Sequence, residues 1–252
     1  MFGALGELAL ACAAAALAGA INAVGGGGTF VTFPTLLWLG LPAIEANATS
    51  SAALWLGFVG SMWAYRQQFK TYAHQAKSLV MVSIIGSAIG AAVLLAFDDA
   101  VFARLVPWLL GAATLLFALA PGLQRRAAEA TAPTQTATTA LLVVQLAIAV
   151  YGGYFGGGMG ILMLAAFATC GMADVHGGNA LKSLLAFVIN ATAVLVFAGF
   201  GPLRWSLAVP MAVAAVAGGY AGAKLATGQT PQVVRRMVLA LGAAVTIAFF
   251  CK

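Results

Sequence analysis

Long apolar runs separated by short polar stretches cover almost all of the 252 residues. A helix needs about 20 apolar residues to cross a bilayer, and runs that approach or exceed this length recur along the chain. The pattern therefore predicts an all-α integral membrane protein with about 8–10 transmembrane segments. The predicted helices are Ala4 to Val24, Phe30 to Leu39, Ala43 to Tyr65, Leu79 to Phe97, Val106 to Leu119, Ala137 to Phe155, Ile161 to Thr169 and Val175 to Phe200.

Two glycine-rich stretches interrupt the apolar pattern at corresponding places in the two halves of the chain. Each precedes an apolar run of about ten residues, which is too short to cross ~30 Å of hydrocarbon as an upright helix. Because glycine lets a backbone leave helical geometry at little steric cost, we interpret both stretches as helix breaks. Close helix packing is the alternative role, and a phosphate-binding loop is excluded because no Gly-Lys-Ser/Thr follows. The glycines are Gly25, Gly26, Gly27 and Gly28 in the first stretch and Gly156, Gly157 and Gly158 in the second.

The composition supports a membrane protein and excludes several functional classes. Hydrophobic residues make up 63% of the chain and charged residues only 7%, compared with about 25% charged residues in soluble domains. The net charge of +6 comes from basic residues scattered among short loops, so we expect a lipid bilayer and not a nucleic acid as partner. No Ser/His/Asp set, HExxH motif or clustered acid pair is present. We therefore expect no enzymatic activity, no cofactor and no metal site.

The second half of the chain repeats the order of features of the first half. We interpret residues 1–120 as a first transmembrane repeat and residues 138–252 as a second, and together they form one membrane domain. The linker between them, residues 121–137, is rich in Pro, Thr and charged residues. Pairwise identity is low, so the repeat rests on the order of features. Within the polar starts of two long helices, Asn47 matches Asn179, Ala48 matches Ala180, Ser50 matches Lys182 and Ser51 matches Ser183.

The distribution of positive charge predicts the orientation of the two repeats. Loops 65–77 and 224–236 and the linker hold most of the cations, so all three are expected in the cytoplasm. The turns at 98–99 and 201–205 then lie outside, as do both termini. Each half contains an odd number of crossings if its short run counts as a span. The halves are therefore predicted to be inverted repeats, an arrangement found in many secondary transporters.

A polar stripe lies in the second of the two long helices. Asn179, Lys182, Ser183 and Asn190 have the spacing of one helical face. A lysine inside the membrane costs at least ~2.5 to 3.5 kcal/mol and usually faces a cavity or a transport pathway. We therefore predict that Lys182 supplies positive charge to a substrate site. The alternatives are a lysine whose ammonium reaches the lipid headgroups, and an Asn190 that, like Asn22, only joins neighbouring helices.

The matching helix of the first half offers uncharged polar groups. Asn47, Thr49, Ser50 and Ser51 lie near its N-terminus, where free N–H groups and the helix dipole favour anions. If the two glycine breaks bring such helix ends together in the middle of the membrane, the site is electropositive and its substrate is a small anion. Capping and packing are the alternative roles of the hydroxyl groups. No Asp or Glu lies in the middle of a predicted span, so we do not expect a carboxylate proton relay.

Several short motifs along the chain match one family of membrane proteins. They are Gly26–Gly28, Phe33–Pro34, Leu36–Leu37, Gly40–Pro42, Ala46–Ser50, Gly156–Gly160, Asn179–Lys182 and Ile189–Asn190. Over nearly the whole chain these motifs resemble the TauE/SafE sulfite-exporter family of bacterial membrane transporters. The resemblance implies two related halves and export of small sulfur-containing anions such as sulfite, sulfonates or sulfoacetate. It also implies that substrate is contacted by Asn47, Thr49, Ser50, Asn179, Lys182 and Asn190.

The two halves differ at one position of this pattern, where Leu181 stands against Thr49 of the first half. They are therefore expected to contribute unequally to the site. We expect a secondary transporter of the bacterial inner membrane that spans it several times and exports small sulfur-containing anions by alternating access at a midplane site. A passive anion channel and an importer of another small organic anion are the alternatives. The sequence leaves open the anion, the direction of transport, the coupling ion and the oligomeric state.

Overall fold

The computed structural model describes residues 3–24, 27–64, 66–67, 73–128, 135–170, 175–226, 239–240, 242–244 and 246–247. Within these ranges the regular secondary structure is α-helical, as predicted. The helices that form complete elements are α1 (Ala4–Val24), α2 (Thr29–Trp38), α3 (Ala43–Ala64), α4 (Ala73–Leu95), α5 (Asp99–Ala128), α6 (Gln135–Tyr154), α7 (Met159–Thr169), α8 (Val175–Phe200) and α9 (Trp205–Ala226). Gly25 and Gly26 of the first glycine stretch lie outside the described residues.

Four of the described helices are long and apolar enough to cross a membrane, and they contain Ala4–Ala23, Ala76–Leu95, Gly177–Phe200 and Trp205–Lys224. Large apolar side chains such as Leu195 and Val213 are exposed on the outside of the bundle, as expected for surfaces that face lipid. The protein is therefore an integral membrane protein. The short helices α2 and α7 have 10 and 11 residues and cannot span the hydrocarbon upright. The total of about 8–10 segments stays a prediction.

The boundaries of α1 and α8 match the predicted ones, whereas three other helices extend into stretches that hydropathy assigns to loops. Helix α4 begins at Ala73, six residues before the predicted start. Helix α5 continues to Ala128 and α6 begins at Gln135, so helices take up much of the predicted linker. Its polar segment Gln124–Ala128 consists of residues with high helix propensity, so a helix can continue there beyond the apolar region. The division of the chain into two repeats stays a prediction.

The helices pack in matched combinations. Helix α1 packs against α9, and α6 packs against α4; likewise α3 packs against α9, and α8 packs against α4. If α1 to α4 are matched in order with α6 to α9, each of these contacts has a counterpart in the other half. Helices α3 and α8, which are matched with each other, also pack against each other at the centre. A duplicated chain is expected to produce this pairing.

The matched helices run in opposite directions. Pairs of contacting residues show that α1, α3 and α9 run one way, and that α4, α6 and α8 run the other way. This is the arrangement that inverted repeats require. The defining contacts are Ala16–Gly218 and Ala20–Gly222 (α1 and α9), Gly57–Ala215 and Gly60–Tyr220 (α3 and α9), Ser83–Gln145 and Gly90–Val150 (α4 and α6), Ser87–Ile189 and Leu95–Gly201 (α4 and α8, with Gly201 directly after α8), and Trp55–Phe187 and Glu45–Arg204 (α3 and α8, with Arg204 in the turn after α8).

Glycines allow these helices to approach closely, and this has a measurable consequence. A Cβ atom at Gly90 would overlap with the carbonyl oxygen of Val150 on α6. We expect Gly90→Ala to lower the free energy of unfolding by about 1–3 kcal/mol, because the helices must separate. Gly199→Ala is the control, since no heavy atom lies within 4 Å of its Cβ position and alanine favours the helix. Melting temperatures of the purified variants test this, and equal stability of Gly90→Ala and wild type would contradict it.

Candidate functional site

A pocket lies in the middle of the bundle, where the two glycine stretches meet. It is lined by side chains or backbone of Asn22 (α1), Thr29 (α2), Leu54 (α3), Met159 (α7), and Lys182 and Asn190 (α8). Leu54 is about 16 Å along the axis from the first residue of α3 and about 15 Å from the last. The pocket is therefore near the middle of the 22-residue helix α3. Its open space is about that of one water molecule, so a larger occupant requires the lining to move.

The first glycine stretch reverses the chain. Helix α1 ends at Val24, Gly27 has a φ of 102°, and α2 begins at Thr29. A Cβ at Gly28 would lie 2.5 Å from the carbonyl oxygen of Ala18, so the chain folds back along α1 by more than one turn. The side-chain oxygen Oδ1 of Asn22 accepts a hydrogen bond from the backbone N–H of Gly28 at 2.8 Å. A side chain of α1 thus fixes the start of α2.

The second glycine stretch has the same organisation. Helix α6 ends at Tyr154 and α7 begins at Met159, and between them Gly156 and Gly158 both have a φ of 77°. This left-handed conformation is accessible to glycine at little cost. The hydroxyl of Tyr151 donates a hydrogen bond to the carbonyl oxygen of Gly157 at 2.5 Å. Here too, a polar side chain of the preceding helix holds the turn.

Lys182 is fully buried, and it lines the pocket between the two stretches. Its Nζ donates hydrogen bonds to the backbone oxygen of Asn22 at 3.1 Å and to Oδ1 of Asn179 at 2.9 Å. Asn22 belongs to the last turn of α1, where carbonyl groups lack helical donors and the helix dipole favours a cation. An ammonium that reached the lipid headgroups would be exposed, so that alternative role of Lys182 is wrong.

The protein partners of Lys182 are neutral oxygen atoms. Within the described ranges, the salt bridge is between Arg204 and Glu45, at the start of α3, with Nε and Oε1 2.9 Å apart. No carboxylate of a described residue forms a salt bridge with Lys182. Because an ammonium group has three N–H donors and Asn22 and Asn179 use two, one donor remains that no described residue uses. A buried cation with this environment is suited to binding an anion.

Two helix N-termini contribute to the same pocket. Helix α2 begins at Thr29 and α7 begins at Met159, and both residues line the pocket. The first N–H groups of a helix have no helical acceptor, and the dipole gives this end a partial positive charge. The pocket therefore combines one lysine with two electropositive helix ends, which is a suitable environment for an anion.

The structure brings part of the predicted stripe of α8 to the pocket. Lys182 and Asn190 line it, and Nδ2 of Asn190 also donates to the backbone oxygen of Ala186 at 2.9 Å. Asn179 does not line the pocket but holds the ammonium of Lys182. The hydroxyl of Ser183 donates to the backbone oxygen of Asn179 at 2.8 Å, which is a contact within its own helix. As substrate contacts, all four residues stay predictions.

The predicted residues of α3 lie outside the lining of the pocket. Nδ2 of Asn47 donates to the backbone oxygen of Tyr154 at 3.1 Å, so Asn47 contacts the second glycine stretch. Thr49 accepts a hydrogen bond from the backbone N–H of Arg204, and Ser50 bonds to Thr32 on α2. Ser51 is half-buried. The expectation that the polar starts of α3 and α8 face one another does not match this geometry, because the two helices run in opposite directions.

Two polar residues of the pocket are absent from the predicted site: Asn22, which the sequence offers as a residue that joins helices, and Thr29. Both line the pocket and are less than 10% exposed. The available signal was position, since the two residues flank the first glycine stretch on either side. A side-chain amide just before a helix break can satisfy a backbone N–H that the break leaves without a helical partner.

Comparisons with known proteins agree with this architecture. A family model described as sulfite exporter TauE/SafE matches residues 11–249. The chain belongs to the TauE/SafE family.

Three relatives of this TauE/SafE protein are described as probable membrane transporter proteins, and each is similar over most of its length. They are ORF9 of Sinorhizobium sp (25% identity, 95% of this chain and 91% of the relative), a protein of Haemophilus influenzae (25%, 87% and 85%) and YfcA of Escherichia coli K12 (26%, 91% and 84%). The TauE/SafE protein is thus a membrane transporter, and its family and relatives indicate transport and not enzymatic catalysis.

Proposed function

We propose that this TauE/SafE protein is a secondary transporter that exports small sulfur-containing anions, such as sulfite or sulfoacetate, across the bacterial inner membrane. The observation that carries the proposal is the buried side chain of Lys182, which lines the pocket and whose ammonium has only neutral partners among the described residues. A bound anion supplies the charge that these partners lack. The TauE/SafE family supports sulfur-containing anions among the small anions that such a pocket accommodates.

The donors around the pocket suit the oxygen atoms of sulfite and sulfonates. These anions have several oxygens around one sulfur, so they accept hydrogen bonds from several directions at once. With respect to the described residues Lys182 has one remaining ammonium donor, and the starts of α2 and α7 add the partial positive charge of two helix dipoles. A hydrogen bond to a charged anion is stronger than one between two neutral groups, so these donors favour binding of an anion in a site with little water.

Two contacts between the halves support alternating access. Lys182 of α8 binds the last turn of α1, at the first glycine stretch, through the oxygen of Asn22. Asn47 of α3 binds the last residue of α6, at the second stretch, through the oxygen of Tyr154. In each contact, a polar side chain of one half holds the end of a helix from the other half. We infer that one contact opens while the other stays closed, which exposes the pocket to one side at a time.

A passive anion channel is the alternative mechanism. The small open space of the pocket favours a transporter that changes conformation, because a channel requires a continuous path. Currents through single proteins in a planar bilayer would favour a channel, and slow, saturable flux favours a transporter. Import of another small organic anion is the second alternative, and it would use the same pocket. Transport assays with controlled gradients distinguish import from export.

The substrate class is tested by the melting temperature of the purified protein with sulfite, sulfate, taurine or sulfoacetate. A ligand that binds the folded state stabilises it by about 2.7 kcal/mol at one hundred times its dissociation constant. We expect sulfite or sulfoacetate to raise the melting temperature in a saturable manner. Choline chloride at equal ionic strength is the control. The proposal would be contradicted if none of the sulfur-containing anions raised the melting temperature above that of the choline chloride control.

A further inference from the structure

Asn22 occupies a position that links the first glycine stretch to Lys182. Its backbone oxygen accepts a hydrogen bond from Nζ of Lys182 at 3.1 Å. Its side-chain oxygen accepts one from the backbone N–H of Gly28 at 2.8 Å. The residue also lines the pocket and is 7% exposed. One residue thus contacts the cation of the pocket and the start of α2.

The contact with Gly28 determines which side-chain atom of Asn22 remains available. A backbone N–H is a donor, so only the oxygen of the amide can accept from it. The N–H2 group of Asn22 then keeps two donors, and no hydrogen bond from it to a described residue is present. Since Asn22 lines the pocket, this N–H2 group can donate to a ligand that binds there.

We propose that Asn22 is a binding and selectivity residue that donates its amide N–H2 to one oxygen of a bound oxyanion while Lys182 binds another oxygen. The inference rests on the proposed transport function and refines its substrate class. The hydrogen bond from Nζ of Lys182 to the backbone oxygen of Asn22 places both residues side by side in the pocket lining. Recognition of two oxygens on one anion favours sulfite and sulfonates over a monatomic anion, which can occupy only one place.

Two substitutions of Asn22 separate binding from support of the chain reversal. Asn22→Asp keeps an oxygen that can accept from Gly28, but it replaces the N–H2 donor with a second oxygen. Asn22→Ala removes the donor without adding a charge. We expect both variants to raise the half-saturation concentration for sulfite by about 10- to 100-fold, the size of the effect for a hydrogen bond to a charged group. The melting temperature without anion stays near the wild-type value in Asn22→Asp and falls in Asn22→Ala.

The measurement is a titration of melting temperature with sulfite, sulfoacetate and bromide, which serves as the monatomic probe. In Asn22→Ala, the ratio of the half-saturation concentrations for bromide and sulfite is expected to fall at least tenfold. Equal weakening of both anions would mean that Asn22 acts only through Lys182, and it would overturn the inference. Wild-type affinity for sulfite in Asn22→Asp would also overturn it, because it would reduce Asn22 to a support for Gly28.

The same titration distinguishes this inference from the proposed function. If neither sulfite nor sulfoacetate stabilises the wild-type protein, the proposed function and the role of Asn22 both fail. If these anions stabilise wild type and a Lys182→Met variant loses the effect while the Asn22 variants keep it, only the role of Asn22 fails.

Discussion

Saturable sulfite transport is lost when Lys182 is replaced by methionine or alanine, while the protein remains folded. Methionine preserves much of the side-chain volume but removes the only buried ammonium among the described residues. Replacing a buried charge with an apolar group is often neutral or favourable for stability, so the melting temperature is expected to stay equal or rise. We expect the rate of uptake or efflux in proteoliposomes to fall at least 100-fold, because one charged contact with the anion is worth about 3 kcal/mol or more.

Lys77→Ala is the matched control, because Lys77 is an exposed lysine on α4. It removes the same charge from the protein without touching the pocket, and we expect its transport rate to stay within about twofold of wild type, as surface substitutions have small effects. Transport by Lys182→Met at the wild-type rate would contradict a role for the lysine. Loss of transport in Lys77→Ala as well would attribute the effect to net charge.

Transport is also lost when Gly28 is replaced by alanine. The added Cβ would lie 2.5 Å from the carbonyl oxygen of Ala18 and 2.8 Å from Nδ2 of Asn22. Since the first of these atoms belongs to the backbone of α1, the start of α2 has to move, and Asn22 moves with it. Strain of this kind typically costs about 1–3 kcal/mol, which corresponds to about a 5- to 150-fold reduction in transport if the strain falls on the binding conformation.

Gly178→Ala is the control for this effect, because it changes a glycine in α8 near Lys182. The nearest atom to its Cβ position is a methyl carbon of Leu164 at 3.6 Å, an ordinary packing distance. We expect the half-saturation concentration for sulfite to rise in Gly28→Ala and to remain unchanged in Gly178→Ala. Wild-type rate and half-saturation in Gly28→Ala would show that the geometry at the first glycine stretch is not needed.

The helices could be predicted because a bilayer imposes a strong requirement on the sequence. Helix α8 begins and ends where its apolar run does, at Val175 and Phe200. Helices α5 and α6 were harder, since the segments around the linker are polar and hydropathy does not detect a helix that continues into water. Helix propensity is the relevant property there, and the residues of Gln124–Ala128 have high helix propensity.

The candidate site was predictable where a single residue conflicts with its surroundings. Lys182 stands out because a cation in an apolar run is costly, and the structure buries it beside the pocket. Asn22 could not be singled out, because an asparagine in a membrane helix often only joins helices. Its importance depends on the chain reversal that brings Gly28 back to it. That contact is tertiary and leaves no periodic pattern in the sequence.

The residues of α3 illustrate a second limit. Asn47 and Asn179 occupy equivalent positions of the proposed repeats, and equivalence suggested one shared site. In an inverted arrangement, equivalent residues lie toward opposite ends of the bundle. Asn47 therefore contacts Tyr154 at the second glycine stretch, whereas Asn179 holds Lys182 beside the first. Because the halves have opposite orientations, Asn47 and Asn179 form separate contacts, one at each glycine stretch.

The most direct test is an experimental structure of the protein with sulfoacetate bound, determined together with the Lys182→Met variant under the same conditions. We predict density for the anion between the two glycine stretches, with a sulfonate oxygen within hydrogen-bond distance of Nζ of Lys182 and another near the amide of Asn22. The variant is expected to lack this density. Anion density that lies away from Lys182, or that persists unchanged in Lys182→Met, would contradict the pocket as the substrate site.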